Sequence, residues 1–126
     1  MIEHFALDVA DPVGMAEWYG EHLGLTVARH VPVPSQGHFL VDARRCVAIE
    51  IYRNTAVQTP DYSKIDPFIL HLAFTSEHPI ADKERLVAAG ASYVSEQNFD
   101  DGTCIIMLRD PWGLALQLCK RAKPLL

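Results

Sequence analysis

The sequence predicts an α+β fold of two tandem β-α-β-β-β modules, whose curled mixed sheets surround a shared cleft. Three observations predict it: the length, the order of the periodic segments, and an internal repeat with an offset of 67 residues. With 126 residues, 49% of them hydrophobic and 21% charged, the chain has the composition of a single globular domain. Within it we expect module 1 at residues 1–53, a linker at 54–67 and module 2 at 68–126.

The repeat is most visible at four polar residues. A step of 67 residues takes His4 to His71, and it takes Glu50 to Gln117. Each half therefore has a histidine on its first strand and a Glu or Gln on its last strand. Because side chains alternate between the two faces of a strand, all four should lie opposite the aliphatic stripe.

Module 1 begins with an alternating strand and a capped helix. Asp11 is the expected N-cap, Pro12 the first helical residue and Gly24 the left-handed C-cap. The helix should face the sheet with Val13, Ala16, Tyr19 and Leu23. Strands are expected at residues 2–9, 25–33, 38–42 and 47–52.

Module 2 repeats this order. A helix is expected at residues 79–89, with Ile80, Lys83 and Val87 on one face and Leu86 beside them. Proline and glycine in the stretch 110–113 (Asp-Pro-Trp-Gly) predict a tight turn before the last strand. Strands are expected at residues 69–75, 91–96, 103–109 and 114–119.

Composition excludes several classes of partner. The net charge is −5 and no basic stripe is present, which argues against nucleic-acid binding. No apolar run has the length of a membrane span, and no signal peptide precedes the first strand. The three cysteines lack metal-type spacing and are interpreted as reduced thiols. We therefore expect a cytoplasmic protein.

The matched residues predict a metal site. A single histidine on a strand is more often a core residue than a ligand. Two imidazoles and a carboxylate, however, are the ligands of mononuclear sites for Zn, Ni, Fe or Mn. His4, Glu50, His71 and Gln117 are therefore the candidate ligands, expected to converge within one chain or across a dimer.

The sequence resembles the vicinal oxygen chelate superfamily, also called the glyoxalase/bleomycin resistance/dioxygenase superfamily. The resemblance covers essentially the whole chain. The resemblance rests on the paired strand order, the stretches 2–9, 47–50 and 71–73, and the turn at 110–113 that leads into the last strand. It implies that fold, one divalent metal held at His4, Glu50, His71 and Gln117, and a homodimer.

Gln117 departs from the family pattern. Glyoxalase I and extradiol dioxygenases usually carry Glu at this position. An amide oxygen can ligate a metal, but it does not accept a proton usefully near neutral pH. Glu50 would then be the catalytic base, and ordinary glyoxalase I activity is in doubt.

Two functions from different classes follow. The first is a metal-dependent lyase or isomerase of the glyoxalase I kind, in which the metal is a Lewis acid and Glu50 moves a proton of a small oxygen-chelating substrate. The alternative is a metal-free small-molecule binding protein, as in antibiotic resistance, with His4 and Glu50 only hydrogen-bonded. A dioxygenase is a second alternative.

Overall fold

The computed structural model describes residues 1–125 and divides into two compact units. Unit 1 is Met1–Pro60, and unit 2 begins at Asp61. Each unit has the predicted β-α-β-β-β order and one four-stranded mixed sheet, so the predicted α+β fold of two tandem modules is confirmed. Within residues 1–125, no helix has both the length and the apolar character needed to span a bilayer.

Unit 1 forms a sheet with the strand order β1-β4-β3-β2. Its strand pairs differ in direction. The edge strand β1 runs parallel to β4, whereas β3 is antiparallel to both β4 and β2. The elements are β1 (His4–Asp8), α1 (Pro12–Leu23), β2 (Thr26–His30), β3 (His38–Val41) and β4 (Ala48–Tyr52).

Unit 2 repeats this topology with the order β5-β8-β7-β6. Here β5 is parallel to β8, and β7 is antiparallel to β8 and β6. The elements are a 3₁₀ turn (Tyr62–Lys64), β5 (Leu72–Thr75), α2 (Pro79–Ala88), β6 (Ser92–Asn98), β7 (Cys104–Arg109) and β8 (Ala115–Lys120).

The ends of α1 are those that the sequence predicts, and so is part of its buried face, because Ala16 and Tyr19 are buried as expected. Asp11 accepts a hydrogen bond from the Gly14 amide (3.0 Å), and Gly24 adopts φ 71° at the C-cap. Val13 is exposed, contrary to the prediction, because the helix rests on the sheet through larger side chains one to two positions away. The buried residues are Pro12, Met15, Ala16, Trp18 and Tyr19.

The predicted face of α2 is wrong at Ile80 and Val87. Ile80 and Val87 are more than 40% exposed, and the helix packs mainly through the fully buried Leu86. Lys83 lies beside the sheet because its ammonium contacts the Glu96 carboxylate of β6 at 3.4 Å. Because Leu86 is the main apolar contact of this short helix with the sheet, Ile80 and Val87 remain in solvent.

The turns that lead into β4 and β8 are built alike. The Asp110 carboxylate accepts bonds from the amides of Trp112 and Leu114, both at 2.9 Å. The Gly113 amide donates to the Asp110 carbonyl (3.0 Å), and Gly113 has φ 90°. The predicted tight turn at 110–113 is therefore present. In unit 1, the Asp42 carboxylate similarly accepts bonds from the amides of Arg44 and Arg45 at 2.9 and 3.0 Å, and Arg45, at φ 54°, stands in the glycine position.

Candidate metal and proton-transfer site

The two sheets place the four predicted residues at equivalent positions. In the parallel pair of unit 1, Glu50 lies opposite Ala6. In the parallel pair of unit 2, Gln117 lies opposite Ala73. Each histidine stands two residues before the paired alanine, so the 67-residue offset of the sequence is reproduced in the strand register. Whether all four residues act as ligands stays a prediction.

In unit 1 the structure brings His4 and Glu50 together. The His4 Nε2 atom lies 3.4 Å from Glu50 Oε2, and the side chains are 35% and 23% exposed. The other ring nitrogen, Nδ1, donates to Glu3 Oε2 at 3.1 Å. The imidazole is therefore placed between two carboxylates, one exposed and one half-buried.

A cation beside Nε2 of His4 would fit this arrangement. A neutral imidazole has one N–H, so it can donate to only one of the two carboxylates. The second contact would then bring a nitrogen lone pair against a carboxylate oxygen. Either a second proton on the ring or a cation beside Nε2 and Glu50 removes that repulsion. The donor set, one imidazole nitrogen and one carboxylate oxygen, suits a divalent transition metal.

Phe39 and Arg29 complete the surroundings of this pair, and sequence reasoning missed both. Phe39 pairs with Glu50 across the sheet, and its ring meets the His4 ring edge-on at a centroid distance of 5.5 Å. The Arg29 guanidinium lies 5.9 Å from the centre of the Phe39 ring. Strand alternation relative to Glu50 could have identified Phe39, but the bulge between Val27 and Arg29 shifts β2 and hides Arg29.

An open apolar groove adjoins His4 in unit 1. Its cavity volume is about 370 Å³, and it is lined by Glu3, which bonds to His4, and by Ala48, which pairs with His4 in the sheet. Most of the remaining lining is aliphatic, with Arg45 as a basic member. The aliphatic lining residues include Met1, Ile2, Val41 and Val47.

In unit 2, His71 stands directly before β5 and is half-buried. Its Nδ1 is 2.6 Å from the carbonyl oxygen of Pro67. Because a carbonyl can only accept, Nδ1 carries the proton, and in the neutral ring Nε2 has the lone pair. Metal-ligating histidines are commonly held by such a bond from the other ring nitrogen. The tautomer of His71 is thus the one that a ligand needs.

Gln117 is 9% exposed and already has a partner. The Cys119 thiol donates to its Oε1 atom at 3.0 Å. Burial raises the pKa of Cys119, so this thiol stays protonated and remains a donor at neutral pH. Gln117 therefore offers hydrogen bonding where Glu50 offers a charge.

Arg109 is a further residue that the sequence reasoning missed. It lies on β7 opposite Ala115, and its guanidinium donates to the carbonyls of Tyr62, Ile65 and Gly113 at 2.8–2.9 Å. These bonds fasten the segment that precedes His71 to the end of the sheet. No sequence pattern indicates an arginine whose partners are backbone carbonyls.

The structure thus presents the predicted ligands as one pair in each unit. Among residues 1–125, no group of three or more His, Cys, Asp or Glu side chains is arranged to hold a metal ion. In unit 1 the pair is in direct contact. In unit 2 the pair shares the equivalent register, with the histidine tautomer fixed and the amide hydrogen-bonded to a thiol.

Comparison with known proteins gives a family and a fold. The family model described as a glyoxalase-like domain matches residues 4–119. No curated protein matches the chain. A glyoxalase family protein from Enterococcus faecalis is 25% identical, with a TM-score of 0.71 over 95% of this chain and 97% of that one.

Two other solved structures share the fold at lower identity. A glyoxalase I variant from Zea mays is 23% identical, with a TM-score of 0.74 over 97% of this chain and 46% of the maize chain. An antibiotic-binding protein from a Streptomyces species is 18% identical, with a TM-score of 0.71 over 94% of this chain and 93% of that one. An enzyme and a binding protein thus occur on the same scaffold.

Proposed function

Since this chain belongs to the glyoxalase-like domain family, we propose that unit 1 carries metal-assisted proton transfer on a small substrate with two adjacent oxygens. The observation that supports it most is the 3.4 Å approach of His4 Nε2 to Glu50 Oε2. An imidazole lone pair and a carboxylate at this distance favour a shared cation.

His4 and Glu50 would hold the metal in unit 1, and His71 and Gln117 are the candidate ligands of unit 2. A bound divalent ion would supply Lewis acidity, lowering the energy of negative charge on the substrate oxygens. The donor types fit Zn, Ni, Fe or Mn better than Mg, because two of the four are imidazoles. The hydrogen bond from His71 Nδ1 to Pro67 supports this role, since in the neutral ring it leaves the lone pair of Nε2 available to a metal.

Glu50 is the residue that we propose as the base. Its carboxylate is 23% exposed, which is open enough to meet a substrate and close enough to His4 to be oriented by it. It would take a proton from the carbon next to a carbonyl and deliver it to the neighbouring carbon. Phe39 packs edge-on against the His4 ring and limits its rotation. The groove beside His4 would take an apolar part of the substrate.

One observation favours a second candidate, a binding protein that performs no reaction. In unit 2 the position equivalent to Glu50 carries an amide whose oxygen is bonded to the Cys119 thiol. An amide cannot serve as a base, so unit 2 contributes no second proton acceptor at this position. A ligand could then be held by hydrogen bonds alone.

Metal binding by protein without a histidine tag separates the two candidates. Wild-type protein should retain Zn²⁺ or Ni²⁺ after gel filtration, and binding should weaken as the pH falls through the range in which imidazoles become protonated. His4→Ala and His71→Ala should each lose metal by at least about tenfold in affinity. His78→Ala is the control, because His78 is exposed and makes no side-chain cap bond at the start of α2.

The metal-dependent proposal loses if His4→Ala and His71→Ala bind as much Zn, Ni, Mn and Fe(II) as wild type does. The binding protein then takes its place.

The homodimer that the family resemblance implies also stays a prediction. The mass in solution from light scattering checks it: twice 14.1 kDa is expected, and 14.1 kDa would contradict it.

A further inference from the structure

We propose a second metal-binding site in unit 1, formed by His30 and His38 on the sheet face opposite His4 and Glu50. The ligand would be a transition-metal ion that prefers imidazole nitrogen, such as Zn²⁺, Ni²⁺ or Cu²⁺. The site does not depend on the proton-transfer chemistry proposed above.

The strand register brings the two histidines together. His30 of β2 and His38 of β3 are direct partners in the antiparallel ladder, so their side chains leave the sheet on the same face. Residues next to them in sequence, Arg29 and Phe39, contact each other on the other face, where Phe39 pairs with Glu50. Because side chains alternate, the histidine pair lies across the sheet from the candidate site.

The protonation pattern of His38 prepares it as a ligand. Its Nδ1 lies 2.7 Å from the carbonyl oxygen of Gln36, which can only accept a hydrogen bond. In the neutral ring the proton is therefore on Nδ1, and the lone pair is on Nε2. His38 is 9% exposed, so its ring is confined by its surroundings. Such a carbonyl bond behind an imidazole is the usual support of a metal-bound histidine.

The separation of the rings agrees with chelation. The ring centroids are 4.7 Å apart, with an angle of 46° between the planes. A metal at roughly 2.0–2.1 Å from each nitrogen lies about 3.2 Å from each centroid, which places the centroids roughly 4.5–5.2 Å apart for ligand angles of about 90–109°. His30 is exposed and can rotate to direct a nitrogen to the ion. Water would complete the coordination.

A bound ion would also tie an edge strand to its neighbour. Every residue of β2 is exposed, and β2 is the outer strand of its sheet, so little burial holds it in place. An ion that requires both histidines binds the folded sheet and not the unfolded chain. It therefore raises the free energy of unfolding in proportion to the logarithm of its concentration.

The test uses tag-free full-length protein, Ni²⁺ or Zn²⁺ as the probe, and three variants. His30→Ala removes an exposed ligand, His4→Ala changes only the candidate site, and His78→Ala is a matched surface control. Stoichiometry comes from calorimetric titration, and thermal unfolding with and without metal gives a second measure. Unfolding of His30→Ala without metal verifies that the variant is folded.

We expect His30→Ala to lose one equivalent of metal, or at least about tenfold in affinity, together with part of the metal-induced rise in Tm. His78→Ala should match wild type. If His30→Ala keeps the wild-type stoichiometry and rise in Tm, the site does not exist. If wild type binds one equivalent that disappears in His30→Ala but not in His4→Ala, this site stands and the proposed function fails.

Discussion

The open faces of the two sheets have the same backbone and different chemistry. In unit 1 the position opposite Ala6 carries Glu50, whose carboxylate meets an imidazole. In unit 2 the position opposite Ala73 carries Gln117, whose amide meets a thiol. The strand register thus preserves where a functional side chain stands without preserving what it can do. Of these two equivalent positions, only the one in unit 1 carries a group that can accept a proton.

The turns before β4 and β8 show the same contrast in their energetics. Asp110 is 2% exposed and its turn has glycine at the left-handed position. Asp42 is exposed, and Arg45 takes the left-handed position at φ 54°, which an L side chain adopts at a cost. Unit 2 therefore has the better-formed turn, and unit 1 keeps a strained one beside the groove that Arg45 lines.

The largest change in the free energy of unfolding is expected for a substitution at Gly113 of unit 2. A Cβ there would lie 2.8 Å from both the backbone nitrogen and the Cβ of Ser63, in addition to the strain of φ 90°. Gly113→Ala should lower the free energy of unfolding by about 3 kcal/mol or more. Urea unfolding measures it.

Gly24 of unit 1 is the matched control. It has φ 71°, but a Cβ there would meet nothing within 4 Å. Gly24→Ala should therefore cost only the conformational strain of about 1 kcal/mol. Equal losses for the two variants would show that the contact with Ser63 does not matter.

Next in size is the loss of the aspartate in each turn. Asp110→Ala leaves the amides of Trp112 and Leu114 without their acceptor, and Leu114 is buried. We expect a loss of about 2–3 kcal/mol in the free energy of unfolding. In Asp42→Ala, water can bond to the amides of Arg44 and Arg45 instead, because this turn is exposed. The loss in the free energy of unfolding should be about 1 kcal/mol or less. Denaturant titration of both variants measures the difference, and a larger loss for Asp42→Ala would contradict the comparison.

The smallest expected change in the free energy of unfolding is an increase, at Arg45 of unit 1. Arg45→Gly relieves the left-handed strain in the turn of unit 1, but it raises the conformational entropy of the unfolded chain, which offsets part of the gain. The net result should be a stabilisation of about 0.5–1 kcal/mol. Thermal and urea unfolding measure it, and Arg44→Gly is the control that should not stabilise. A destabilised Arg45→Gly variant would mean that the Arg45 side chain contributes more than its backbone costs.

Much of this fold is readable from the sequence because its signals are local. Asp11, Pro12 and Gly24 give the ends of α1, and the 67-residue offset gives the equivalence of Glu50 and Gln117 before any strand is paired. Alternation places His4 and Glu50 on the same face, as their contact requires.

The features that the sequence did not predict correctly are those that tertiary packing determines. The buried faces of α1 and α2 depend on which side chains the sheet accepts, so Val13 and Val87 are exposed despite helical periodicity. The role of Arg109 depends on carbonyls more than 40 residues away in sequence, at Tyr62 and Ile65. The bond from Cys119 to Gln117 lies within two residues, but only the structure shows its direction.

The central claim is that the carboxylate of unit 1, and not the amide of unit 2, transfers the proton. Deuterium incorporation from D₂O into the adduct of a thiol with a 2-oxoaldehyde, measured by NMR on metal-loaded protein, tests it directly. We predict that Glu50→Gln slows exchange by about 10²–10⁴-fold, whereas Gln117→Glu keeps or raises the rate. Exchange at the wild-type rate in metal-loaded Glu50→Gln would contradict the account.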